Sequence, residues 1–245
     1  MFVQRYKYKT GDSMKTKTTI LVFCLGLALT LAGCTHTNQL ANFKLTSSKV
    51  LFKTYVSPLA HKVYVDLHTG YGTDPKSLVT IVLGEVASGY MESKIEEKLK
   101  TAVNTDSLVK SVSEGIREGL LTYYRVIASD TLENDTRFIA ETKLLGIKLI
   151  SNSGGVYASV GTQVTLTDRN TAKIVWENNE TSSIPLYDVI IGAFGPGTIQ
   201  TTTSIINAVR LMSMSEEEMR IMISNATEEA GRKQYETLRE DTASE

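Results

Sequence analysis

The 245-residue chain carries 26 Lys and Arg against 27 Asp and Glu, 42% hydrophobic residues and two cysteines. That length admits one domain with extensions and a sizeable core. A near-neutral balance argues against a nucleic-acid binder, and two cysteines exclude a disulfide framework.

Residues 1–13 (MFVQRYKYKTGDS) add nothing that the next stretch needs, and Met14 reads as the start. Met14-Lys15-Thr16-Lys17 is a short basic run. Ile20 to Leu31 (ILVFCLGLALTL) is apolar, about as long as a signal-peptide core and too short for a comfortable membrane span. Two small residues, Ala32 and Gly33, then lead to Cys34. The stretch Leu31-Ala32-Gly33-Cys34 resembles the lipobox of bacterial lipoproteins. That resemblance implies signal-peptidase recognition of Leu31, Ala32 and Gly33, cleavage before Cys34, and a diacylglycerol and an N-acyl chain on Cys34. Residues 1–33 are then a signal peptide, and Cys24 leaves with it. The leader takes five basic residues and Asp12 with it, so the mature chain has 21 basic against 26 acidic residues, a formal charge of −5. Thr35 is not the Asp that marks inner-membrane retention, which resembles the outer-membrane default, with the domain on the periplasmic face.

Residues 34–50 are polar and carry no strong period. They read as a lipidated tether, with the folded part beginning near Val50 and the domain held roughly 20 Å off the membrane. Lys62 to His68 (KVYVDLH) alternates as a half-buried strand. Asp74-Pro75 caps a long helix over about 76–103, with Leu78, Val82, Val86, Tyr90, Met91, Ile95 and Leu99 apolar. Asp106 caps a second helix to about Leu121, striped by Val109, Val112, Ile116 and Leu120. Tyr123 to Ala128 (YYRVIA) is a second strand. Arg137 to Ile150 is a third, with a bulge near Leu145-Gly146, where the apolar register slips.

Val156 to Asp168 alternates best, with Val156, Ala158, Val160, Thr162, Val164 and Leu166 on one face. It turns at Asp168-Arg169-Asn170-Thr171 into Ala172 to Glu177, a hairpin. Residues 183–203 read as a loop or irregular insertion, with some helix from Thr202 to Leu211. Ser215-Glu216-Glu217-Glu218 is a capping box opening a final helix to about Leu238. That helix buries Met219, Met222, Ile223, Ala226 and Ala230, and the last residues fray. The expected fold is α+β: a mostly antiparallel or mixed sheet of about five strands with a layer of helices, in one domain over 51–245.

Strands of the KVYVDL, YYRVIA and FIAETKLLGIKL type lead to an alternating strand that ends at Asp168. A tight turn then leads into Lys173-Ile174-Val175-Trp176-Glu177. The set is similar to small envelope lipoproteins with a TolB-N-like or CsgG-like α/β domain, over roughly residues 60–180 and the last helix. The resemblance implies a fold and a compartment and carries over no binding residue.

No set of residues points to catalysis or to a metal. Asp66 and His68 share a strand face with His61 upstream, but a metal site needs three or four converging ligands. No GxSxG elbow occurs, and Gly154-Gly155 and Gly195-Pro196-Gly197 lack the context of a phosphate loop. Glu216, Glu217 and Glu218 complement a helix dipole. Trp176 reads as core. Ile184, Leu186, Val189, Ile190, Ile191 and Phe194 form an apolar run that either covers the core or meets a partner or membrane. The sequence therefore points to a non-catalytic lipoprotein without a bound cofactor. It binds a membrane through its lipid and an envelope protein as an accessory or assembly factor, and it binds no nucleic acid. The alternative is a self-associating ring- or pore-forming secretion component of the outer membrane, and a third, weaker reading is an envelope-acting hydrolase.

Overall fold

A computed structural model describes residues 36–67, 98–99, 103–186, 206–207 and 209–243. The elements run β1 (Thr37–Asn38), a 3-10 turn (Leu40–Asn42), β2 (Lys49–Val56), β3 (Val63–Leu67), α1 (Thr105–Tyr124), β4 (Ile127–Ser129), β5 (Thr136–Asn152), β6 (Gly155–Asp168), β7 (Lys173–Pro185) and α2 (Glu216–Ala243). They form an α+β fold. Its seven-stranded mixed sheet has the order β1-β7-β6-β5-β2-β4, and β3 also pairs with β5.

The long strand β5 organises the sheet. One edge pairs antiparallel with β6 along its whole length. The other edge holds two parallel strands end to end: β2 against 136–144 and β3 against 147–151. Between them the register shifts at Leu144/Gly146. Phe138, Ala140 and Leu144 are buried before the bulge, and Ile147 and Leu149 after it, so the inward parity changes from even to odd. One extra residue, Leu145, restores the apolar face to the core side. The expected slip is therefore a real bulge.

The β6 alternation holds as expected, with all six named residues buried. In β7, Val175 and Trp176 are both buried because a second register shift, opposite Leu166/Thr167, turns one more residue inward. Helices α1 and α2 pack on each other and on this face. Their contact is close because glycines meet there: a Cβ on Gly115 would lie 3.0 Å from the Gly231 carbonyl oxygen. The four α1 stripe residues and the five inward residues of α2 are all buried, as the 3.6-residue spacing predicts.

Several expectations need correction. The fold begins at His36, not near Val50. Leu40 and Leu45 are each 1% exposed and belong to the core that holds Phe138, Leu166, Trp176 and Leu238. Their spacing fits neither helix nor strand because a 3-10 turn and a loop present them, so no period betrays them. The tether reading of 34–50 therefore fails from residue 36 onward. Strand β2 is an additional strand: Val50 and Leu51 are both buried where the register against β5 shifts at Lys49/Val50, and that irregularity interrupts the alternation by which a strand is read.

The second strand is shorter than expected. Tyr123 and Tyr124 close α1, and Arg125 caps it in the left-handed region at φ 50° before β4. Asn104, rather than Asp106, is the N-cap of α1, accepting from the Ser107 N–H at 3.0 Å. The β7 strand runs on to Pro185, so 183–185, expected as the start of a loop, are strand, and residues 187–203 of that expectation lie outside the described residues. Helix α2 continues to Ala243, and its last turn is engaged rather than frayed. The long helix expected over 76–103 falls mostly outside the described residues. Lys98 and Leu99 are helical, and Leu99 is buried.

Candidate functional site

Cys34 and the residues Leu31, Ala32 and Gly33 lie outside the described residues, as do Val189, Ile190, Ile191, Phe194 and His68. Ile184 and Leu186 are described and pack against the core formed by Ile147, Leu149, Val156 and the methionines of α2. Of the two readings left open for that apolar run, these two residues take the core one. His61 and Asp66 are exposed. Among the described residues, no group of three His, Cys, Asp or Glu side chains converges on a point where a metal ion could bind. Among them, too, no helix is long and apolar enough to cross a membrane.

Glu216, Glu217 and Glu218 open α2. The Ser215 backbone N–H donates to Glu218 Oε2 at 2.7 Å, and the Glu218 N–H donates to Ser215 Oγ at 3.2 Å. This reciprocal pair is the capping box that the spacing predicts. The Ser215 N–H holds the Glu218 carboxyl below the usual glutamate range, and Arg220 does the same for Glu217. The carboxylates are used to start a helix.

The structure does bring together one set of residues far apart in sequence, where the chain joins the sheet. Thr37 and Asn38 pair antiparallel with Glu177 and Trp176 on β7. The Gln39 N–H donates to the Val175 carbonyl at 2.9 Å. The Trp176 ring is fully buried, and its indole N–H donates to Asp241 Oδ2 at 2.6 Å. His36 Nε2 lies 3.1 Å from the same carboxylate, and the His36 ring meets Trp176 edge-on with centroids 6.4 Å apart. The last turn of α2 thus closes over β1: Thr242 donates to the Tyr124 hydroxyl at 3.0 Å, fastening α2 to α1. A carboxylate shared between a buried indole and an imidazole orients both. This cluster is a clamp on the first residues of the domain. Sequence reading missed it, since Trp176 and Asp241 are 65 residues apart. The one signal was that a buried tryptophan needs an acceptor for its N–H.

Behind the clamp, a fully buried polar group ties α2 to the sheet. Gln234 accepts from Asn178 Nδ2 at 3.1 Å and donates to Thr162 Oγ1 at 3.2 Å. The opposite sheet face is polar, lined by residues such as Lys53, Glu141, Thr165 and Glu177 in cross-strand register. Gln163 donates to Glu177 Oε1 across it at 2.7 Å.

No family model and no curated protein matches the chain. Among solved structures it is similar to a candidate lipoprotein from Caulobacter crescentus, at 13% identity and TM-score 0.28, over 56% of this chain and 83% of that one. It is also similar to a DUF330 protein from Xanthomonas campestris, at 7% identity and TM-score 0.32, over 82% and 90%. A third is the PelC dodecamer from Paraburkholderia phytofirmans, at 14% identity and TM-score 0.25, over 68% and 88%. Scores this low leave the functional reading to the chain's own residues.

Proposed function

We propose that the chain is a lipid-anchored protein of the bacterial cell envelope that acts by binding another envelope protein rather than by catalysis. The observation that carries this reading is the leader: a basic run from Met14, an apolar core over Ile20 to Leu31, and Leu31-Ala32-Gly33-Cys34 at its end. The fold supports it, because the compact domain begins at His36, two residues after the expected lipid-bearing cysteine. Cleavage before Cys34 would remove the leader and leave the described domain whole. The polar face of the sheet, with Lys53, Glu141, Thr165 and Glu177 half-buried on it, is the surface on which a protein partner would dock. Thr35, in place of an aspartate after the cysteine, supports outer-membrane placement.

Feeding cells an alkyne-tagged fatty acid tests the anchor. The full-length protein is expected to carry the tag and to fractionate with membranes. Cys34→Ala is expected to lose the tag. Membrane fractionation of Cys34→Ala equal to the parent overturns the reading. In-cell cross-linking of the tagged lipoprotein tests the partner: one envelope protein recovered at near-equal amount supports it, and a ladder of the chain's own multimers refutes it.

A further inference from the structure

The chain joins its sheet without slack. Cys34 and His36 are two peptide steps apart, at most about 7 Å. From His36 onward the chain is held: by Asp241 at His36, by β7 at Thr37 and Asn38, and by the core at Leu40. We propose that the β1 edge of the domain, together with the C-terminal end of α2, rests directly on the headgroup layer of a phospholipid bilayer. The inference rests on the lipid anchor proposed above and replaces a flexible stalk by contact. A free tether of sixteen residues would span roughly 20 Å, but the fold uses those residues in β1, the 3-10 turn and the first turn of the core.

Charge on the N-terminal segment is compatible with the same surface. In a mature chain of formal charge −5, residues 36–48 hold Lys44 and His36 and no carboxylate. A surface of anionic lipid therefore meets no repelling group on that segment. The rest of the surface is mixed in charge: Arg239 and Glu240 are exposed on the last turn of α2, Glu177 lies opposite Thr37, and Asp241 is engaged by Trp176 and His36. Strand β4 forms the opposite edge of the sheet, five strand spacings away, or about 24 Å. A protein partner would then be met close to the membrane.

The test uses the acylated protein in vesicles of phosphatidylethanolamine and phosphatidylglycerol. Cys34 is blocked by its lipid and Cys24 leaves with the leader, so one introduced cysteine is a unique label. Glu240→Cys places a fluorophore beside the clamp, and Leu132→Cys, at a residue 56% exposed, places one beyond β4. Quenching by headgroup nitroxide lipids is expected to be about threefold stronger at 240 than at 132. A twenty-residue Gly-Ser insertion ahead of His36, with a span of about 25 Å, is expected to erase that difference. Equal quenching at the two sites, or a difference that survives the insertion, overturns the proposal. Failure of the acylated protein to float with the vesicles overturns the anchor itself, and the contact with it.

Discussion

Replacing Asp241 by alanine is expected to loosen the clamp measurably. The Trp176 side chain is 1% exposed, and Asp241 Oδ2 accepts its N–H at 2.6 Å. Leaving a buried donor without that acceptor costs about 1–3 kcal/mol. The His36 contact adds less than about 1 kcal/mol, because His36 keeps 41% of its side-chain surface in solvent. The sum is near 2 kcal/mol, about a thirtyfold change in the folding equilibrium and roughly 4–8 °C in Tm for a domain of this size. Asp241→Asn keeps a carbonyl oxygen in place and is expected to recover more than half of the loss. Trp176 is the only tryptophan in the chain, so its emission during urea unfolding reports on the site directly. An alanine variant within about 0.5 kcal/mol of the parent, or an asparagine variant as unstable as alanine, would refute the clamp.

Three further outcomes are expected. Gly115→Val drives a side chain into the Gly231 backbone and is expected to cost about 1–3 kcal/mol in thermal melts, whereas Gly146→Ala, with open space at its Cβ, stays near the parent. Gln234→Leu strips Thr162 and Asn178 of a buried partner and is expected to cost about 1–3 kcal/mol; adding Thr162→Val should return part of it, since removing both partners is nearly neutral. Stability is also expected to fall in acid. Ser215 lowers the Glu218 pKa, Arg220 that of Glu217, Arg232 that of Glu229 and Lys49 that of Asp135. The unfolded chain therefore binds protons first as pH drops, so this stability is present above the ordinary carboxylate range and is lost as pH falls through the lowered folded values. Glu218→Gln should reduce that dependence in urea titrations at about pH 7 and pH 3, leaving the shares of Glu217, Glu229 and Asp135, and an unchanged profile would refute the assignment; Ser215→Ala keeps the backbone N–H that chiefly lowers the Glu218 pKa and should cost about 1 kcal/mol through the lost cap.

Local periodicity was enough to read much of the chain. The α1 stripe, the β6 alternation, the β5 bulge and the Ser215 capping box each place their signal within a few residues. Each could be read because backbone period and side-chain chemistry repeat over that distance. Tertiary structure decided what is read across long separations. Leu40 and Leu45 look like residues of a polar tether until the sheet supplies a core for them. β2 shows no clear alternation because its register against β5 shifts at Lys49/Val50, where Val50 and Leu51 are both buried. Ile184 and Leu186 turn from an open apolar loop into core cover because β6 extends far enough to pair with β7 up to Pro185. The clamp of His36, Trp176 and Asp241 joins residues 205 positions apart at its ends, where no local pattern can act. A hydrogen bond to a buried indole is set by which elements pack together, and only the folded chain determines that.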